Sequence, residues 1–408
     1  MVRVPVGTAQ PGVVALIFAV GCSGGASVGK VPISLTVLRD SFGMSLFQAS
    51  LTISFFLLAA MLVGIFGGML ADRFGQRRSM LAGLVVSALG GLLGAASDDA
   101  SMLLASRALE SVGFVATVLP GPALLARLVA PDRLRSVMGL WACYMPVGMA
   151  VVLIVCPWLL DTIGWRGIWI AIAMLQLLLA VLVALRLPPD PGGAGTPSSL
   201  SLIRQTVRSP KAWLLAASFG CYAGQWMSVF GFLPTLYREE GIATATAGVL
   251  TAIGVAINAT GNFGAGLLMQ RGWPRDRLLV FAALAMGAGG WLIFGSGAPF
   301  PIRYAAVLLF SAAGGLIPGT LFASTPSFAP SARTVSTTTG LMQQGSATGQ
   351  FVTPPLIALV VSAAGDWSVT WVVTGMLALA NVGLALLIRR EVARPAGAGR
   401  SGVPGDRP

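Results

Sequence analysis

Long apolar segments, separated by short polar or charged stretches, occupy almost the whole chain. A helix needs about 20 predominantly apolar residues to cross about 30 Å of hydrocarbon. The segments of this length are residues 13–38, 47–70, 79–97, 101–126, 136–161, 166–186, 211–237, 246–270, 277–296, 302–328, 334–363 and 367–388. The first is too long, and too soon followed by others, to be a cleaved signal peptide. The pattern therefore predicts an all-α membrane protein with twelve transmembrane helices.

The composition excludes a soluble domain of this size. Of the 408 residues, 55% are hydrophobic and 10% are charged, and the mean hydropathy is +0.83. Such values are typical of a polytopic membrane protein. The helices are therefore expected to lie in a lipid bilayer.

The net charge of +12 would also suit a nucleic-acid-binding protein, so the positions of the cations decide its meaning. With the N-terminus inside, 20 of the 26 lysines and arginines lie in segments on the cytoplasmic side. The opposite loops hold only Arg39, Arg166, Arg238 and Arg303. This bias predicts a protein of the cell inner membrane with both termini in the cytoplasm. It also explains the positive net charge without nucleic-acid binding.

Matched strings at an offset near 200 residues indicate an internal duplication. Gly68-Met69-Leu70 returns as Gly266-Leu267-Leu268, and Pro120-Gly121 returns as Pro318-Gly319. We predict two pseudo-symmetric six-helix bundles with a substrate site between them near the membrane midplane. The expected domains are residues 1–187, a cytoplasmic linker at 188–210 rich in Pro, Gly and Ser, residues 211–390, and a flexible cytoplasmic tail at 391–408.

A charged hinge separates the second and third spans. It reads Gly67-Gly68-Met69-Leu70-Ala71-Asp72-Arg73-Phe74-Gly75-Gln76-Arg77-Arg78, and in the second half Gln270 takes the place of Asp72. This hinge resembles the loop between helices 2 and 3 of the major facilitator superfamily of secondary transporters. The resemblance implies that Gly68, Asp72, Arg73 and Arg77 are gating residues that help to lock an outward-facing state. The alternative is that these charges only set the topology.

Three charges lie inside predicted spans, where each costs at least a few kcal/mol. Lys30 lies roughly 12 Å below the outer end of the first helix, and Arg107 and Glu110 lie about 9 and 13 Å below the start of the fourth. In the superfamily fold both helices line the central cavity, so we expect the three side chains to meet there. Their sum is one positive charge, which favours an anionic substrate. The alternative is a self-neutralised structural pair.

Neutral polar residues occupy mid-span positions, partly as stripes at helical spacing. As candidate substrate-binding residues they join the three charges, and each taken singly also suits an interhelical hydrogen bond. They are Tyr144, Tyr222, Gln225, Trp226, Asn258, Asn262, Gln343 and Gln350.

Enzymatic constellations are missing from the sequence. There is no histidine, and Cys22, Cys143, Cys156 and Cys221 lack the close spacing of metal or redox motifs. No phosphate-binding glycine loop follows a strand and opens a helix, which argues against nucleotide hydrolysis. We therefore predict no enzymatic activity, no cofactor and no metal, and an ion gradient, with protons as the candidate ion, as the energy source for active transport.

Within the superfamily, three strings are similar to the branch of cyanate and nitroimidazole permease-like proteins: Arg107-Ala108-Leu109-Glu110-Ser111-Val112-Gly113-Phe114, Met145-Pro146-Val147-Gly148-Met149 and Gly340-Leu341-Met342-Gln343-Gln344-Gly345. The sequence thus predicts a monomeric permease for a small, anionic organic solute that works by alternating access. One alternative is a proton-coupled multidrug efflux antiporter, and another is a non-transporting membrane receptor or scaffold. The drug antiporters of the superfamily carry a glycine-rich motif before a proline in the fifth helix. Here Trp141 and Met145 take the glycine positions before Pro146, which argues against drug antiport.

Overall fold

The computed structural model describes residues 11–66, 74–190 and 200–393, and every regular element within these ranges is a helix. The all-helical prediction is confirmed for this part of the chain. The helices of the N-terminal half are α1 (Pro11–Phe42), α2 (Leu46–Phe66), α3 (Gln76–Ala95), α4 (Ala100–Leu128), α5 (Pro131–Trp141) and α6 (Tyr144–Arg186).

Side-chain caps fix where two of these helices begin. Ser45 accepts a hydrogen bond from the Gln48 N–H at 3.2 Å, and the Gln48 side chain accepts one from the Ser45 N–H at 2.9 Å. Asp99 accepts from the Met102 N–H at 2.8 Å before α4. Each cap satisfies amide groups that have no partner inside the first helical turn, so α2 and α4 begin at defined residues.

Helix α6 contains two predicted spans. Its 43 residues are interrupted only at Gly164, whose backbone has φ 66° and ψ 177°. A residue with a Cβ is strained at this positive φ. The fifth and sixth spans are therefore joined through a single glycine.

The C-terminal half repeats the arrangement after a short helix in the predicted linker. Its helices are α7 (Leu200–Val207), α8 (Pro210–Phe230), α9 (Leu233–Glu239), α10 (Thr244–Gln270), α11 (Arg275–Gly295), α12 (Phe300–Phe328), α13 (Val335–Ala364) and α14 (Thr370–Ala393). Ten described helices are long and apolar enough to cross a membrane. Since α6 holds two spans and α8 with α9 forms the seventh, the twelve-helix prediction is confirmed. The fifth span was predicted from residue 136 but α6 begins eight residues later, at Tyr144, and the predicted end of the second span lies outside the described residues.

The two halves contact each other on more than one seam. Along α2 and α13, the rings of Phe55 and Phe351 lie 5.9 Å apart. One end of the helix bundle, the arginine-rich end, carries Arg77, Arg127, Arg186, Arg271 and Arg275. Near the opposite end, Arg238 of α9 donates a hydrogen bond to Thr36 of α1. On the remaining seam, a Cβ added to Gly248 of α10 would lie 2.3 Å from the Leu153 carbonyl oxygen of α6, so only glycine permits this approach. The halves are thus closed together at the end opposite the arginines.

The linker helix α7 packs at the arginine-rich end. Thr206 and Thr337 share a hydrogen bond of 2.6 Å. A small apolar cluster includes residues of the same two helices, α7 and α13, and consists of Ile65, Ile203, Ala212, Ala216 and Leu341. Part of the predicted linker is therefore structured and joins α2, α8 and α13.

Candidate functional site

The three charges predicted to meet do lie together. Glu110 accepts a hydrogen bond from Lys30 on Oε1 and another from Arg107 on Oε2. Their side chains are at most 1% exposed. Lys30 of α1 lies at the same depth as Arg107 and Glu110 of α4, so the single carboxylate of Glu110 bonds to both cations.

Backbone carbonyls and aromatic rings complete the surroundings of the two cations. Arg107 donates from Nε to the Thr52 carbonyl at 3.0 Å and from Nη2 to the Ser27 carbonyl at 3.1 Å. Its guanidinium lies 4.6 Å from the ring centre of Phe56, and Lys30 Nζ lies 4.4 Å from that of Trp169. Such contacts stabilise cations that are buried away from bulk solvent.

The cluster lies inside the N-terminal half. A Cβ on Gly90 of α3 would lie 2.8 Å from Cγ of Glu110, and one on Gly91 would lie 3.3 Å from its Oε1, so α3 packs directly against this side chain. Gln176 of α6 closes another side by donating to Ser27 Oγ at 3.1 Å and to Ser87 Oγ at 3.4 Å. The expected exposure of the three charges to a central cavity is not observed in this conformation, because Glu110 binds both cations and the helices close around them. Their role in substrate binding remains a prediction.

The charge of this cluster is unbalanced. In the part of the chain that the structure describes, Lys30, Arg107 and Glu110 are the only charged side chains that are buried. With all three ionised, one positive charge in the interior has no carboxylate to match it. A buried unmatched charge is costly and is characteristic of a functional site in a membrane protein.

A neutral network occupies the C-terminal half. Asn258 Nδ2 donates two hydrogen bonds, one to the Ser311 carbonyl at 2.9 Å and one to the Tyr222 hydroxyl at 3.1 Å. Asn262 Nδ2 donates to Asn258 Oδ1 at 3.0 Å. The structure thus brings together three of the predicted residues, Tyr222 of α8 with Asn258 and Asn262 of α10, next to the Ser311 carbonyl of α12.

Two further predicted residues on α8, Gln225 and Trp226, each have one buried polar atom without a hydrogen-bond partner among the described residues. Gln225 Nε2 donates to the Thr374 carbonyl at 2.7 Å, but its Oε1 has no hydrogen-bond partner among the described residues. The indole N–H of Trp226 is buried and likewise has no described partner. Buried polar groups are normally hydrogen-bonded, so these two atoms are open to a further partner, a property that they share with other buried atoms such as Trp169 Nε1 and Gln176 Oε1.

The other predicted binding residues lie apart. Tyr144 packs on Trp141 in the N-terminal half, with ring centres 4.9 Å apart. Gln350 donates to Ser346 Oγ of its own helix at 3.1 Å, and Gln343 is partly buried on α13. These three residues are not gathered into one site with the buried charges, and their binding role also remains a prediction.

Of the predicted gating residues, Gly68, Asp72 and Arg73 lie outside the described residues, and Arg77 stands at the start of α3. The Arg77 N–H donates to Asp190 Oδ1 at 2.9 Å, and its Nη2 donates to the Ala184 carbonyl at 2.6 Å. Asp190 also accepts from the Arg78 N–H at 3.1 Å and pairs with Arg127 at 3.4 Å. This carboxylate caps α3 from the end of the N-terminal half.

Sequence reasoning missed Asp190 and Trp169. Asp190 follows two prolines after the sixth span, and its only signal is an acid opposite an arginine-rich hinge. Trp169 is an apolar residue by pattern, and nothing in its spacing indicates that it lies against Lys30.

Comparison with known proteins identifies the family. The model of the Major Facilitator Superfamily matches residues 15–346. The cyanate transport protein CynX of Escherichia coli K12 is 26% identical over 64% of this chain and 67% of its own. The 2-nitroimidazole transporter of the same organism is 26% identical over 86% and 88%. Human monocarboxylate transporter 11 is 28% identical over 77% and 69%.

Solved structures agree in fold. A bacterial homolog of the human lysosomal transporter Spinster, inward-facing and occupied, superposes with a TM-score of 0.75 at 15% identity, covering 94% of this chain and 98% of that one. The D-xylose–proton symporter gives 0.73 at 18% identity, covering 92% and 96%. The chain belongs to the Major Facilitator Superfamily and is a multi-pass membrane transporter of small organic solutes, not an enzyme.

Proposed function

We propose that this transporter moves a small organic anion across the cell inner membrane by alternating access of its two halves, as a monomer with both termini in the cytoplasm. The observation that carries the proposal is the unmatched positive charge of the Lys30, Arg107 and Glu110 cluster. An anion that reaches this cluster would supply the missing negative charge. The names of two relatives point the same way, since cyanate and monocarboxylates are anions.

Binding requires the substrate to compete with Glu110. Both oxygens of Glu110 are already bonded to cations, so a substrate carboxylate gains contacts by taking over Lys30 or Arg107 from it. The freed Glu110 can then accept a proton, which would couple transport to a proton gradient. Contacts from the neutral half, above all Gln225 Oε1 and the Trp226 N–H, would fix the uncharged part of the solute.

The membrane orientation follows the distribution of cations. Arg77, Arg127 and Arg186 of the N-terminal half lie at the same end of the bundle as Arg271 and Arg275 of the other half. Since positive residues accumulate on the cytoplasmic side, this arginine-rich end faces the cytoplasm. The closed seams at the opposite end then separate the site from the outside.

A thermal-shift screen tests the anion. Purified protein is heated with small carboxylates, amino acids or cationic dyes, because a ligand that binds only the folded state raises Tm. A carboxylate should raise Tm. Lys30→Gln should raise the Kd for that carboxylate at least about tenfold, which equals about 1.4 kcal/mol. Lys30→Arg should not restore full affinity, because the guanidinium is planar and larger than an ammonium.

Lys211→Gln is the matched control, because this lysine is half exposed and paired with Glu391 at 3.4 Å. It should leave carboxylate affinity unchanged. Stabilisation by cationic dyes alone would replace the proposal with a drug efflux antiporter. No stabilisation by any class, together with no flux in proteoliposomes, would favour a receptor or scaffold.

A further inference from the structure

Helix α2 is interrupted where it meets the other half. It is α-helical over Leu46–Ser54 and Leu58–Val63, with a 3-10 turn between them at Phe55–Leu57 and another at Gly64–Phe66, the last turn of α2 that the structure describes. In an uninterrupted α-helix the Ile65 N–H would bond to the Met61 carbonyl. A change from α to 3-10 geometry leaves such groups in need of other partners.

Gln344 of α13 bonds to both of these groups. Its Nε2 donates to the Met61 carbonyl at 2.7 Å, and its Oε1 accepts from the Ile65 N–H at 3.2 Å. One carboxamide from the C-terminal half therefore occupies the place of an intrahelical bond in the N-terminal half. Both members of the pair are backbone groups, so the contact depends on the conformation of α2.

Close packing makes this insertion specific. A Cβ on Gly64 would lie 2.9 Å from Cβ of Gln344, and one on Gly340 would lie 3.2 Å from the Gly64 carbonyl oxygen. A Cβ at Gly64 would force a shift and one at Gly340 would be tight, so the two glycines favour the close approach of α2 and α13 that lets the carboxamide reach. Ile65 and Leu341 then join the apolar cluster at the arginine-rich end.

The other interruption of α2 is satisfied within its own half. The Ala59 N–H donates to Ser111 Oγ of α4 at 2.9 Å. Thus α2 is tied to the N-terminal half at Ala59 and to the C-terminal half at Met61 and Ile65. The second tie must break whenever the halves separate at this end.

We propose that Gln344 is a releasable clasp that holds α2 against α13 at the arginine-rich end, and that its release lets Met61 and Ile65 bond to each other as that end opens. When the clasp opens, the Met61 carbonyl and the Ile65 N–H exchange their bonds to Gln344 for a hydrogen bond to each other, so neither backbone group is left without a partner. This inference rests on the proposed alternating access of the two halves.

Spin-label distances in lipid nanodiscs test the clasp, in a background where the four native cysteines are replaced by alanine. One pair of labels replaces Arg78 and Arg277 at the arginine-rich end, and another replaces Asp98 and Asp366 at the opposite end; all four residues are exposed. Gln344→Leu removes both hydrogen bonds at similar volume. It should raise the ratio of open to closed populations at the arginine-rich end about tenfold, equal to about 1.4 kcal/mol.

Two substitutions serve as matched controls. Thr348→Val removes a hydroxyl whose bond is to the Gln344 backbone carbonyl of its own helix, and Ser111→Ala removes the tie inside the N-terminal half. Neither should change the population ratio. Gln344→Asn, whose shorter side chain cannot span both groups, provides a second test if the leucine variant folds poorly, and it should shift the ratio in the same direction.

The outcomes separate the clasp from the transport cycle. If the wild type shows two populations at the arginine-rich end and both Gln344 variants leave their ratio unchanged, even with a lower Tm, the clasp is wrong and alternating access stands. If the wild type and all variants show one fixed distance at both ends under every condition, alternating access fails and the clasp fails with it.

Discussion

The two halves of this transporter share a frame but differ in the chemistry of their interiors. The N-terminal half buries Lys30, Arg107 and Glu110, which are bonded to one another. In the C-terminal half the positions 198 residues further along hold Ser228, Ala305 and Leu308. Ser228 donates only to the Gly224 carbonyl of its own helix, at 2.7 Å.

The polar interior of the C-terminal half is instead built from uncharged groups, centred on Asn258. The difference shows that a duplicated helical frame does not fix the chemistry inside it. An ion cluster is held by strong but costly interactions, because removing one partner leaves the others buried without compensation. An amide network is held by weaker bonds that tolerate loss better. We therefore expect substitutions in the two halves to differ in size.

Glu110→Gln should have the largest effect. It leaves Lys30 and Arg107 buried without a carboxylate, and breaking a buried ion pair in this way costs about 3–5 kcal/mol. Thermal unfolding of the purified variant measures the loss. The matched control is Glu240→Gln, which weakens the partly exposed pair with Arg303 in the other half and should cost about 1 kcal/mol. Equal losses from the two variants would contradict the contrast between the halves.

Asn258→Leu should have a smaller effect. It removes the donor to the Ser311 carbonyl and the partner of the Tyr222 hydroxyl, which leaves buried polar groups unsatisfied at a cost of about 1–3 kcal/mol. Thr260→Val is the control, since this exposed hydroxyl bonds only to the Ile257 carbonyl of its own chain segment. Unfolding curves of the two variants should separate clearly. A loss as large as that of Glu110→Gln would show that the neutral network is no weaker than the ion cluster.

Asp190→Ala should have the smallest effect. This carboxylate caps α3 through two amide groups, and the loss of such a cap costs about 1 kcal/mol. Because Asp190 and Arg127 are partly exposed, added salt should reduce the difference from wild type. Asp98→Ala, at a side chain 96% exposed and 4.0 Å from Arg166, is the control and should show no difference at any salt concentration. A salt-independent loss would limit the role of Asp190 to uncharged hydrogen bonding.

The fold and the buried charges were accessible from sequence for the same reason. Hydrocarbon selects against charge so strongly that apolar runs mark the helices and any lysine, arginine or glutamate inside them stands out. The depths of Lys30, Arg107 and Glu110 followed from the helical rise alone. Their meeting needed one further step, the resemblance to the superfamily, which implies that the first and fourth helices are neighbours.

What sequence could not supply is the rotation of each helix and the contacts of backbone atoms. Glu110 was expected to face a cavity, yet it faces α3, where Gly90 and Gly91 make room for it. Gln344 and its neighbour Gln343 are the same residue type, and only the packing of α13 on α2 decides which one meets a broken helical turn. Asp190 acts on amide groups more than 100 residues away in the chain, a pairing that no local pattern encodes.

The glycine turn inside α6 has a practical consequence for labelling and fusion experiments. The chain reverses at Gly164 with helical residues on either side, so there is no loop at this point for a protease, antibody or inserted epitope to use. A peptide inserted there would have to unwind the last turn of one segment, and any other residue at 164 would be strained. Reporters of sidedness at this end of the bundle are better inserted in the turns next to Gly43 or Gly297, where the flanking helices have already ended. Both glycines should be kept, because their own φ values of 59° and 62° would strain any other residue.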